Sequence, residues 1–381
     1  MTQRLLQIVL LLAALVLPQA AAAAAPPIPA GTPFTFYDKI VGSQAATALL
    51  RSDYAALEDM ARGFRDSKSR TPIGSADLLV FYRAFDFTTT GDPSEDERQL
   101  DRLERKVLDW ARAYPNSPAP HIVYAILLTA HGCAICSRGY TPERWKAYQS
   151  YLRQARSYLL AHKAVASNDP EWYVEMLVLA DDLRETTWRP LLAEATRRYP
   201  DYYAIYNVAT VLYADSGSAD GLDDLIDGAI ARTHVSDGME LYARLYGHVG
   251  FNRFDGGKQL FTRTHATWAR MLGSYIELTN KYPDPYLFEE MFFYACVAGD
   301  KVSARLALPH LLPLRRTDMW QEPADFAACT AWAQGTSNAP SPLAADPSPP
   351  AGRPEVTQEQ AVYLMIAAAA VMFLILARAV A

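Results

Sequence analysis

Nowhere in these 381 residues do apolar and polar side chains alternate for long enough to demand a β-strand. The usual signatures of chemistry are missing as well. There is no His-Glu-x-x-His metal helix, no phosphate-cradling glycine loop, no dinucleotide glycine fingerprint and no nucleophile-elbow serine. The seven histidines (His121, His131, His162, His234, His248, His265 and His310) are dispersed, and a lone helical imidazole is more often packed or exposed than a ligand. Lysine and arginine are scattered through a chain of net charge −6, which excludes a basic nucleic-acid footprint. No cofactor, metal ion or small-molecule substrate is implied by any of this.

What is present is punctuation. Tyr-Pro followed by Asn or Asp occurs three times, at Tyr114-Pro115-Asn116, Tyr199-Pro200-Asp201 and Tyr282-Pro283-Asp284. A residue before proline is pushed out of the α region, so each tyrosine ends a helix. Asn, Asp or a nearby Ser caps the next one. Gly132, Gly217 and Gly299 come after the prolines at similar intervals and are expected to close those helices in a left-handed turn. The marks lie 85 and 83 residues apart with four helices in each interval, so a basic hairpin is about 42 residues. Asp169-Pro170 to Pro200 is shorter, so the units are uneven.

Apolar periodicity predicts helices near 36–50, 53–66, 75–87, 95–113, 119–131, 142–163, 170–182, 187–198, 202–214, 220–232, 239–254, 264–281, 286–298, 301–315 and 323–333. The fold class is therefore all-α: an array of helical hairpins, like a tetratricopeptide solenoid, over residues 32–334. Asp53 and Asp300 are placed to cap helices at hairpin tips. Thr141-Pro142-Glu143 sets a cap, a first-turn proline and an early acid in order. Asp220, Asp223, Asp224 and Asp227 answer a helix dipole, and their spacing is not that of a calcium loop.

The ends differ from the body. Residues 1–25 read as a secretory signal: Arg4, an apolar core from Leu5 to Leu17, Pro18, then an alanine run with small-residue cleavage sites. Residues 336–359 form a Pro/Ala-rich linker with too little apolar surface to order, a semi-extended spacer. Residues 361–377 carry no charge and are just long enough to span a bilayer, with Arg378 beyond. The expected localisation is the cell envelope: one inner-membrane pass, body on the periplasmic side, C-terminus cytoplasmic.

The stretch Leu49-Leu50-Arg51-Ser52-Asp53-Tyr54-Ala55-Ala56-Leu57-Glu58 resembles the opening of a bacterial family of tetratricopeptide-like proteins, a family known as a domain of unknown function. Trp110-Ala111-Arg112-Ala113-Tyr114-Pro115, Ser137-Arg138-Gly139-Tyr140 and Tyr199-Pro200-Asp201-Tyr202-Tyr203 are similar to its later landmarks. The resemblance covers about 45–250. It implies a helical-repeat fold and carries no catalytic residue.

Cys133-Ala134-Ile135-Cys136 is the sharpest local motif. At a predicted helix end, with no βαβ pattern nearby and in an exported compartment, a structural disulfide is favoured. A free pair is one alternative, and a redox or metal site with His131 or His121 is another. Cys296 and Cys329 lie on neighbouring predicted helices and either pair or stay as two buried thiols. Trp172, Tyr173, Tyr202, Tyr203 and Tyr206 open helices just after prolines, beside Asn207. In a hairpin array such positions line a concave face and make contact anchors, although packing against the next unit is the more common use.

These readings converge on a membrane-anchored envelope scaffold that binds an unidentified protein partner and is not an enzyme. A thiol–disulfide factor using Cys133 and Cys136 is the alternative. A cell-wall or glycan hydrolase is a further one. It needs a carboxylate opposite Glu175, Asp181 and Asp182, which the sequence does not place.

Overall fold

Tyrosine and proline set the helix boundaries, and they do so three times with one geometry. Helices α4 (Pro93–Ala113), α9 (Arg189–Arg198) and α14 (Trp268–Lys281) end on Tyr114, Tyr199 and Tyr282. The backbone angles there are φ −130°, ψ 65°, then φ −134°, ψ 63°, then φ −131°, ψ 83°. Each tyrosine thus leaves the α region, as the proline after it requires. Capping after the three turns is less uniform. Asp284 caps α15 (Pro285–Ala298) through the Tyr286 amide, Ser117 precedes α5 (Pro118–Cys136) without a side-chain cap, and Tyr202 precedes α10 (Tyr203–Asp215).

This computed structural model describes residues 28–87, 89–313, 319–320, 322–336 and 339–344. The expected signal at 1–25 and the expected span at 361–377 lie outside them. Contacts divide the chain after Ala30, and every described helix belongs to the part from Gly31 onward. The remaining helices are α1 (Phe34–Leu50), α2 (Tyr54–Ser67), α3 (Asp77–Arg83), α6 (Pro142–Ala161), α7 (Lys163–Ala166), α8 (Glu171–Asp182), α11 (Ala219–Asp237), α12 (Glu240–Arg253), α13 (Leu260–Arg263), α16 (Lys301–Ala307) and α17 (Pro323–Gln334). A 3-10 turn at Leu308–His310 comes after α16, where Pro309 removes a helix donor. No strand occurs among the described residues, only a single bridge between Arg70 and Ala76. The all-α expectation holds.

Several caps fall where the sequence puts them. Asp53, Thr141 and Asp300 accept from the amides of Ala56 (3.1 Å), Arg144 (3.2 Å) and Val302 (3.1 Å). Gly217 and Gly299 have φ of 72° and 74°, the left-handed closure expected of them. Gly132 does not close its helix, because α5 runs on to Cys136. A Cβ at Gly132 would lie 2.9 Å from the Tyr148 ring, so this glycine lets α5 and α6 approach closely instead.

Helix α5 is the core of the first half. Its faces carry Ile122, Val123, Ala125, Ile126, Leu127 and Leu128, all buried, between α4 and α6. A helix apolar on every side belongs inside. By length and hydropathy it is the one described helix that would pass for a membrane span, but most of it is covered by protein.

Long-range polar contacts tie the first helices to the last. The connection between α2 and α3 runs along the starts of α8, α10, α12 and α15. Arg65 meets Asp169 at 2.9 Å, Lys68 meets Asp201 at 3.0 Å, and Arg70 approaches Asp237 at 3.8 Å. Arg244 donates to the Ile73 carbonyl, and Gly74 (φ 80°) lies against the Tyr282 ring. The Phe34 amide donates to Asp284 at 2.8 Å.

The residues expected to form a spacer from 336 onward do not all stand clear of the body. Ser341 and Leu343 are buried against it. Too little apolar surface for independent folding is no bar to docking on a surface already built.

Candidate functional site

Most side chains singled out for partner contact are structural. Trp172, Tyr173, Tyr202, Tyr203 and Tyr206 are buried, and only Asn207 is half-buried. Their polar ends are engaged inside the fold. Trp172 donates its indole to the Leu159 carbonyl (3.1 Å), Tyr173 donates to Glu194 (2.6 Å), and Tyr206 donates to the Pro200 carbonyl (3.0 Å). Tyr202 donates to Glu171, and Tyr203 to Asp237 and Glu240. The use of these side chains as contact anchors is therefore corrected, and the alternative reading, packing inside the fold, is what the structure has. Each of these tyrosines buries its ring in the core and spends its hydroxyl on a carboxylate or carbonyl of another segment.

The cysteine motif is corrected too. Cys133 and Cys136 are free thiols in the last turn of α5, not a disulfide. Burial, then the charge of Asp182, pushes the Cys133 thiol upward, and burial alone pushes Cys136 up to about 11. Both sit at the negative end of a helix, the wrong end for a thiolate. The histidines near them are occupied elsewhere. His131 bonds Glu104 at 2.8 Å and stacks on Tyr151, while His121 stacks on His162 at 4.3 Å. No group of three or more metal-ligating side chains occurs among the described residues. The disulfide forms instead between Cys296 of α15 and Cys329 of α17, with Cα atoms 6.1 Å apart.

What the fold does assemble is a group of acids that act on one another near the thiols. Glu175 and Asp182 come from α8, Asp86 from the segment after α3, and Tyr148 from α6. Burial pushes the Glu175 carboxyl up to about 8, reinforced by the charges of Asp86 and Asp182. Burial pushes Asp86 to about 6, with Arg83 opposing and Asp38 adding. Asp182 also rises to about 6 through burial and Asp181, against a stabilising hydrogen bond from Tyr148. Glu175 and Asp182 are half-buried, whereas Asp86 keeps much of its surface in contact with solvent.

Cations lie beside some of these acids. Arg253 pairs with Asp215 at 2.7 Å and reaches Asp181 at 3.4 Å, and Arg184 is 3.3 Å from Asp215. Asp181 still sits above its ordinary value, through burial and the adjoining Asp215. The acids of the α11 start are satisfied: Asp223 accepts from Tyr246 and His265, and Asp227 pairs with Arg270 at 2.8 Å.

Of these acids, sequence reasoning singled out Glu175, Asp181 and Asp182 but not Asp86, whose charge acts on Glu175. Asp86 carried a signal: it stands alone between Phe85 and Phe87, both buried. No family model, curated protein or solved structure matches the chain.

Proposed function

We propose that the protein is a membrane-anchored scaffold of the cell envelope, exported by its N-terminal signal and held by its C-terminal apolar segment. Its helical-repeat body binds a protein partner and receives a lysine or arginine of that partner at this group of acids. The observation that carries this reading is Glu175: a carboxyl pushed up to about 8, with Asp86 and Asp182 as its nearest charges. A cluster of mutually repelling carboxyls is relieved when a further cation enters. Glu175 then gives up its proton, so binding is coupled to proton release. The resemblance of residues 49–58 to a tetratricopeptide-like family supports the scaffold reading.

Calorimetric titration with short lysine- and arginine-containing peptides, at pH 7 in buffers of differing ionisation enthalpy, tests it. Proton release on binding, lost in Glu175→Gln, is expected. Basic peptides that fail to bind, or that bind with no proton exchanged, would refute it.

One observation favours a second reading. Carboxyls at about 8 and about 6 in one group are split as an acid and a base are split in glycan hydrolysis. Glu175 would donate and Asp86 would accept. Release of reducing ends from cell-wall glycans, abolished in Glu175→Gln, would favour hydrolysis over binding.

A further inference from the structure

The chain after α17 is a spacer by composition, yet residues 339–344 are seated on the body. Trp332 donates its indole N–H to the Ala339 carbonyl at 2.9 Å. Ser341 donates its hydroxyl to the carbonyl of Cys296, and its oxygen lies 3.2 Å from the Cys296 sulfur. Leu343 is buried beside it. The strap therefore holds on to two residues. One is on α17, and the other is a disulfide cysteine.

Helix α17 is itself lightly held. Only Cys329 and Ala333 of its 12 residues are buried, and its sequence is rich in alanine. Phe326 packs at its edge on Trp320, and polar ties run from Arg305 to the Ala333 and Gly335 carbonyls and from Lys258 to Asp325. An open cavity of about 230 Å³, lined by Lys301, Ala328, Trp332, Pro340 and Pro342, remains between strap and helix. So little apolar area gives a small noncovalent anchorage, and the covalent link to α15 supplies the rest.

We infer that the Cys296–Cys329 disulfide is a pin for a redox-releasable strap. Reduction frees α17 and residues 339–344 together, and with them the body's hold on the segment that leads to 361–377. The step is ordinary thiol–disulfide exchange. Cys296 and Cys329 are both fully buried, so a dithiol reaches one sulfur when the strap lifts; the mixed disulfide then resolves within the reductant, and two electrons and two protons convert the pair to thiols. The reductant leaves as its own disulfide. Cys133 and Cys136 are already thiols and take no part.

Hydrogen exchange of the full-length protein, read by peptide mass spectrometry before and after dithiothreitol, is the test. Peptides covering 323–334 and 339–344 are expected to exchange roughly tenfold faster after reduction, while those from α5, α8 and α10 are unchanged. Equal protection in both states would overturn the proposal. So would loss of protection throughout, since the disulfide would then lock the whole fold. The Ser341→Ala variant, kept oxidised, separates strap from pin: 339–344 should open while α17 stays protected. A strap that stays closed in that variant would also count against the inference.

Discussion

Glu175 holds its proton more tightly in the folded chain than in the unfolded one, and that fixes the sign of its effect. Its native value of about 8 lies above the ordinary 4.5. The stabilisation it contributes is complete below about 4.5 and is lost as pH rises toward about 8. Urea unfolding across that window should show stability falling with pH, and Glu175→Gln should flatten the slope and exceed the native protein in stability at pH 8. His121 acts with the opposite sign. Burial, then the neighbouring His162, lowers it from 6.5 to about 4, so the fold holds it neutral. Its contribution is complete above about 6.5 and is lost as pH falls toward 4. A His121→Gln variant should therefore show a shallower loss of stability between pH 6.5 and 4. Neither shift was legible in the sequence. Both come from burial, and burial depends on what other segments bring alongside.

Elements were more legible, because their ends are decided locally. The three Tyr-Pro turns share one backbone geometry because proline acts on the residue directly before it. Gly217 and Gly299 adopt left-handed angles for a similarly local reason. Gly132 shows where local reasoning stops. It looked like a helix terminator and is a contact point, with the Tyr148 and Tyr151 side chains against it. Replacing Gly132 with Ala should gain about 1 kcal/mol in helix propensity and lose about 2 kcal/mol to crowding, a net loss of about 1 kcal/mol. Thermal and urea denaturation of Gly132→Ala would measure it. An increase in stability would mean that α5 and α6 separate more easily than the contact distances imply. The long apolar segment 119–131 gave the right element but no single buried face: Val123 and Leu127 are as buried as Ile122 and Ile126, so the helix is dry on every side.

At the scale of the molecule, a few buried polar groups tie distant parts together. Asp169 is fully buried and accepts from Arg65 at 2.9 Å, from the Tyr82 hydroxyl at 2.8 Å and from the Glu171 amide at 3.0 Å. It joins α2 and α3 to the start of α8. Truncation to Ala would strand the Arg65 charge and a buried hydroxyl, at a cost of about 3 kcal/mol. Chemical denaturation of Asp169→Ala should show that loss, and hydrogen exchange should locate it at 65–82 and 169–173. A loss below about 1 kcal/mol would mean that water replaces the carboxylate. The contact between Phe34 and Asp284 has the same character, joining residues 250 apart in sequence.

By itself the sequence determined the all-α class and most helix starts, but not every end: the segments expected at 119–131 and 301–315 end at Cys136 and Ala307. Proline, glycine, capping side chains and apolar period act within a turn or two of the chain. Only the tertiary structure decided which side chains meet. It turned the tyrosines inward, paired Cys296 with Cys329 while leaving Cys133 and Cys136 as thiols, and set Asp86 near Glu175. Those outcomes depend on packing between segments up to hundreds of residues apart, and no local rule carries information over that distance.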